Sequence, residues 1–135
     1  TSKQVCELDF SEELSDRSAR RNTYLEYSLW NGDECISGGT LLFVKNKHFE
    51  FMDPEIRVTV EEQEDHFLIR LQSSAFAKYV GLDLTDADCV FSDNYFDLSA
   101  GTEKTVVVKK CDISQPLSAD EFRKMLQVRS IFDLA

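Results

Sequence analysis

Most of the chain alternates apolar and polar positions with the period of a strand. Val5, Glu7 and Asp9 alternate with Cys6, Leu8 and Phe10, which predicts a first strand burying Cys6, Leu8 and Phe10. The polar stretch SEELSDRSARRN that follows reads as a loop. In TYLEYSLWNGDECIS, Leu25, Tyr27 and Leu29 share one strand face, and Asn31-Gly32 offers the positive φ pair of a type I′ hairpin turn. GGTLLFV reads as the next strand, with Gly38-Gly39 as a bulge or crossing point. After the Pro54 loop a second hairpin is predicted. Ile56, Val58 and Val60 point inward, a charged turn intervenes, and Phe67, Ile69 and Leu71 point inward on the return. AKYVGLDL is a further short strand, and EKTVVVKK is the last clear one, with Val106 and Val108 on one face.

The tail has a different period. Ser118 followed three residues later by Glu121 is a capping box, and Phe122, Met125 and Leu126 lie at helical spacing. A short helix leading into a terminal apolar segment is expected there. The whole pattern, about seven to eight strands at turn intervals of roughly 8–12 residues, predicts an all-β antiparallel sandwich with a short helical segment near the C-terminus. No repeat, low-complexity tract or Pro/Gly-rich linker interrupts it, so residues 1–135 read as one compact domain. The opening Thr1 and the lack of a signal-peptide pattern are what an excised piece of a longer protein would show.

Charge narrows the partners. Fifteen basic against 25 acidic residues give a net charge of −10, a field that repels nucleic acid and anionic membrane surfaces. The four cysteines, Cys6, Cys35, Cys89 and Cys111, are far apart and lack the Cys-x-x-Cys spacing of a structural zinc site. They are expected to be free thiols in a reducing, cytoplasmic compartment, although a sandwich could bring Cys35 and Cys89 together.

Candidate chemistry is sparse. His48 and His66 have no cysteine or serine near them arranged as a nucleophile. Glu61, Glu62, Glu64 and Asp65 crowd one turn, and Asp83, Asp86, Asp88, Asp93 and Asp97 follow along another region. Crowded turns are solvated, the reverse of the buried carboxyl that glycoside hydrolysis requires. DLTDADCVFSDN also lacks the spacing and glycine of a calcium-binding EF-hand loop. There is no phosphate-cradling glycine loop and no Gly-x-Ser-x-Gly elbow. Tyr24, Tyr27 and Trp30 could form a sugar-stacking platform, but Tyr27 belongs to the inward Leu25/Leu29 face. No catalytic residue, metal or cofactor is expected.

The stretch FSDNYFDLSAGTEKTVVV, residues 91–108, resembles a signature of the C-terminal immunoglobulin-like domain of glycoside hydrolase family 2 β-mannosidases. LLFVKNKHFEFMDPEI is similar to that family's Lys-His-Phe segment followed by Asp-Pro, and VRSIFDLA to its closing segment. DHFLIRLQSSAFAKYVGLDL fits its strand, small-residue join and strand, so the likeness runs from about Tyr24 onward. Ser99-Ala100 departs from it, standing where the family often has a proline before the glycine, and the antibody-type Cys–Trp–Cys spacing is absent.

The resemblance implies an immunoglobulin-like sandwich held by packing alone, the C-terminal part of a larger multidomain enzyme. The family's catalytic glutamates sit on an upstream barrel domain, and no position here matches them. Ser92, Asp93, Asn94, Tyr95, Phe96, Asp97 and Gly101 would form a structural corner. Trp30, Lys47, His48 and Phe49, with the aromatics taken as exposed, would contact the barrel domain or sugar. The expected role is a non-catalytic, interdomain-packing domain of a β-mannosidase. The alternative is a module binding mannose-containing saccharides, with Trp30 and Tyr95 stacking on the sugar and Asp93 and Asn94 bonding its hydroxyls.

Overall fold

The structure, a computed structural model, describes Gln4 and residues 6–134. It holds eight strands in antiparallel pairs: β1 (Tyr24–Asn31), β2 (Glu34–Leu42), β3 (Arg57–Glu62), β4 (His66–Gln72), β5 (Ala77–Leu84), β6 (Phe96–Leu98), β7 (Glu103–Lys109) and β8 (Leu126–Arg129). Two short helices accompany them, α1 (Arg17–Asn22) and α2 (Ala119–Met125). The fold is the all-β, immunoglobulin-like class with a short helix near the C-terminus. Where the sequence reads as one domain over 1–135, the chain divides into two compact units, residues 1–50 and 51–135. The division falls in FEFMDPEI, which has no regular element between the 3₁₀ turn ending at His48 and β3. A Pro/Gly-rich linker is not needed to separate units when the apolar alternation simply lapses.

The C-terminal unit is a pair of three-stranded sheets, ordered β3-β4-β7 and β6-β5-β8. Alternation places Phe67, Ile69 and Leu71 of β4 and Val106 and Val108 of β7 inside, as their spacing predicts. The other sheet contributes Ala77, Val80, Leu82, Leu84 and Leu98 to the same buried cluster. Phe122 of α2 completes it, its ring stacked on Phe67 at 4.5 Å between centroids. The predicted capping box is formed: the Ser118 hydroxyl accepts from the Glu121 N–H, and the Glu121 carboxylate accepts from the Ser118 N–H. Of the expected inward set, Ile56, just before β3, and Val60 are half-buried and Val58 is exposed. Two strands were not foreseen, β6 inside the YFDL run and β8 inside the terminal apolar segment. Three or four residues are too few to show a period.

The N-terminal unit departs further from its pattern. Cys6 to Phe10 form no strand, and Cys6 and Leu8 are exposed; Val5 lies outside the described residues. The SEELSDRSARRN loop contains α1, N-capped by Asp16, whose carboxylate accepts from the Ser18 N–H. The β1–β2 hairpin forms, but its two-residue turn is Gly32-Asp33, one residue later than predicted. Only Gly32 has positive φ, at 61°, the arrangement of a type II′ turn instead of type I′. The register break lies opposite Leu29/Trp30 and not at Gly38-Gly39, which pair in step with Ser28 and Tyr27. Tyr27 and Leu29, expected to face inward, are exposed.

Phe122→Ala is expected to lower unfolding free energy by about 3–5 kcal/mol. Leu29→Ala on the exposed hairpin should stay within about 0.5 kcal/mol. Urea melts of the purified chain measure both.

Candidate functional site

The Val90–Val108 stretch is the densest concentration of side chain–backbone bonding in the C-terminal unit, and its geometry follows from two unfinished strand edges. β7 is the outer strand of its sheet, so Val107 turns its free N–H and C=O outward. Ser92 takes both: its N–H donates to the Val107 carbonyl at 2.9 Å, and its hydroxyl accepts from the Val107 N–H at 2.8 Å. On the other sheet, β6 is too short to cover β5 beyond Val80. The Asn94 side chain continues that pairing. Its Oδ1 accepts from the Leu82 N–H at 2.7 Å and its Nδ2 donates to the Leu82 carbonyl at 2.9 Å. Asp93, between them, accepts from Lys104 of β7 at 2.6 Å and from the Asn94 N–H at 2.8 Å. Ser92-Asp93-Asn94 thus bonds one sheet through its first residue and the other through its third.

Asp97 performs a related task on β6. Lys78 and Tyr79 of β5 lie opposite this one residue, a β-bulge, and Tyr79 takes a positive φ of 53°. The Tyr79 N–H, turned off the ladder, donates to Asp97 Oδ1 at 3.1 Å, and Lys78 Nζ donates to Oδ2 at 3.3 Å. Lys78 is only 8% exposed, so this ion pair is nearly dry. The bulge explains how a lysine at a polar position of AKYVGLDL comes to be buried, which simple alternation does not foretell. Tyr95, also at positive φ (56°), is 73% exposed and lays its ring edge against Gly81. Phe96 is half-buried with Lys104 Nζ 5.2 Å from its ring centroid. Gly101 (φ 76°) closes a turn in which the Thr102 N–H donates to the Ser99 carbonyl at 3.1 Å. A positive φ at the third residue marks type II, whose second position, here Ala100, is the one proline favours. Its departure from the expected Pro-Gly therefore costs preorganisation, not geometry.

The other expected contact residues lie in the N-terminal unit. Trp30 is exposed and donates from its indole to the Ser28 hydroxyl at 2.7 Å. Lys47 and His48 are exposed in a 3₁₀ turn, and the His48 carbonyl accepts from Arg21 Nε at 2.9 Å. Phe49, expected to be exposed, is buried.

Nothing in this arrangement resembles acid–base machinery. Glu61 pairs with Arg70, Glu62 with Lys110, Asp93 with Lys104 and Asp97 with Lys78. Hydrogen bonding and charge from Arg70 lower the Glu61 pKa, and the His66 hydrogen bond lowers that of Asp65. A general acid needs the opposite shift. Among the described residues no cluster of three or more His, Cys, Asp or Glu could hold a metal. A groove of about 440 Å³ between β3, α2 and β8 has Arg123 as its sole ionisable lining residue, bonded to the Val60 carbonyl at 2.7 Å. Among the described residues no helix is long and apolar enough to cross a membrane.

Comparison with known proteins matches the two units separately. A family model described as an Ig-fold domain, of mannosidases, covers residues 51–134. The chain belongs to this mannosidase Ig-fold family. A second model, a mannosidase Ig/CBM-like domain, matches residues 1–48. No curated protein sequence matches the chain. The crystal structure of a β-D-mannosidase from Dictyoglomus thermophilum superposes with a TM-score of 0.64 at 20% identity, over 79% of this chain and 13% of that one. At that identity the likeness shows the fold, and this chain spans about an eighth of the length of that enzyme.

Four expectations follow from the mannosidase Ig-fold geometry. Asn94→Ala strips Leu82 of both partners and should cost about 1–3 kcal/mol, while Ala100→Pro should add about 0.4–1 kcal/mol, both by chemical denaturation. Burial, reinforced by Asp83 and Asp88, raises the Cys89 thiol from 9.0 to about 11. The folded state therefore favours the neutral thiol: that stability is complete below pH 9 and falls as pH rises toward 11, the window a pH series of melts would sample. At pH 8 iodoacetamide should modify Cys89 more slowly than the exposed Cys6, Cys35 and Cys111, read by peptide mass spectrometry.

Proposed function

We propose that this chain is a non-catalytic accessory part of a β-mannosidase, packing against the catalytic barrel domain of the same parent polypeptide and stabilising it. The observation that carries this reading is how the corner spends its polar groups. Ser92, Asp93, Asn94 and Asp97 look on paper like a site, yet every one is engaged with a strand backbone or a lysine of its own sandwich. The absence of a matching catalytic carboxylate pair in the sequence and the two mannosidase domain models support the same role. The four free thiols suit a reducing, cytoplasmic setting.

The sugar-binding alternative draws less support. Asp93 and Asn94 are already bonded within the fold.

The test compares the parent enzyme with the isolated chain. The parent should hydrolyse p-nitrophenyl β-mannoside and the chain should not. Alanine at Trp30, Lys47 and His48 should lower the parent's melting temperature by several degrees and leave the chain's unchanged, which calorimetry reads. An unchanged parent would remove the interdomain role from those residues. Saturable binding of β-linked mannooligosaccharide by the chain, lost in Trp30→Ala or Tyr95→Ala, would replace the accessory reading with the sugar-binding one.

A further inference from the structure

The strand edges of the C-terminal unit are not all closed. Ser92 covers β7 at Val107, and the Asn94 amide covers β5 at Leu82. β3, the outer strand at the other side of the sheet from β7, has no such cover. The Gln63 N–H donates to the His66 carbonyl, so Thr59 and Glu61, two and four places earlier in the same alternation, also turn their backbone groups toward β4. Val58, Val60 and Glu62 turn theirs outward. The Val60 carbonyl accepts from Arg123 at 2.7 Å, as that alternation requires, and keeps a second lone pair. Among the described residues nothing caps the outward groups of Val58 or Glu62. The strand carries no proline, no lysine and no bulge, the usual guards of an open edge. Its charges are arranged instead to complement a copy of themselves.

Arg57-Val58-Thr59-Val60-Glu61 is symmetric about Thr59 except that its ends carry opposite charges. Two such strands laid antiparallel about a two-fold axis at Thr59 set Arg57 of each opposite Glu61 of the other, and Val58 opposite Val60. Thr59 meets its own counterpart. The backbone demands the same register. Val58 and Val60, whose groups face outward, form the hydrogen-bonded pairs, while Arg57, Thr59 and Glu61 take the non-hydrogen-bonded pairs, where opposed side chains come closest. Arg57 is exposed and forms no ion pair among the described residues. Glu61, held from within by Arg70 and Gln63, keeps further lone pairs. We infer that β3 is a self-recognition edge that joins two copies of this chain into one continuous sheet, running β7-β4-β3 and then β3-β4-β7. The reversed end charges select a second copy, since an unrelated strand satisfies the backbone alone. Val58, 36% exposed, and the groove of about 440 Å³ beside it, walled by Val60, Leu126 and Val128, border the seam. One strand pair with its flanking groove is a small interface, so the affinity is on the order of 10–100 µM. The inference stands apart from the accessory role, needing neither a barrel domain nor a sugar.

Sedimentation equilibrium of the 135-residue chain tests it, with circular dichroism to confirm that each variant is folded. The 15.5 kDa chain should pass to twice that mass as its concentration rises from about 5 to about 500 µM. Arg57→Glu and Glu61→Arg should each weaken the dimer about tenfold, because the two-fold axis counts each like-charge contact twice. Mixed in equal amounts, the two variants should regain the original affinity, since every altered charge then faces its opposite. Val58→Pro removes an outward N–H that β4 does not use and should leave a folded monomer. In hydrogen exchange the amides of Val58 and Val60 should slow as concentration rises, while those of Thr59 and Glu61, bonded to β4, are protected throughout. A chain that stays monomeric across the whole range overturns the inference. So does a dimer that Arg57→Glu and Val58→Pro leave intact, or one that mixing the charge variants fails to restore.

Discussion

A strand at the end of a sheet leaves backbone N–H and C=O groups that must find partners, and this constraint shapes the C-terminal unit. With β6 only three residues long, Leu82 of β5 would face an empty ladder position; the Asn94 amide fills it with one donor and one acceptor, as a backbone peptide would. Ser92 does the same for Val107 on the other sheet. Because the two residues are separated only by Asp93, satisfying both edges also ties the sheets to each other. All four cysteines are free, so no disulfide shares this task.

The corner sets direction, and burial supplies the driving force. The apolar layer of β4, β5 and β7, closed by the Phe67–Phe122 stack, holds the sheets face to face without specifying which strand end meets which. Directional bonds do that. Lys78 and Asp97 show the cost of precision: a bulge turns a lysine inward, and one carboxylate must then serve both the cation and the displaced Tyr79 N–H. Buried polar groups of this kind are retained where they fix a unique register. The same arrangement commits these polar side chains to bonds within their own sandwich.

The two units place their apolar residues differently. In the C-terminal unit alternation and burial agree along β4 and β7. In the N-terminal unit the alternation of β1 and β2 is equally clear, yet its apolar face meets no core within that unit. Periodicity reports which face a strand is made to bury, not whether the cover is at hand.

Alternation over six or more residues was legible without coordinates, because each added residue reinforces the same face. The strands β4, β5 and β7, the buried sets of β4 and β7 and the second hairpin follow from it, as does the Ser118–Glu121 cap, whose bonds are local in sequence. What only the tertiary structure decided depends on residues far apart in the chain. The pairing of Asn94 with Leu82, the burial of Lys78 through a bulge, β6 and β8 as partners of β5, and the open face of β1–β2 all turn on what lies alongside a strand. A linear pattern encodes which way a side chain points, while its neighbour across the sheet or core is chosen by the folded chain as a whole.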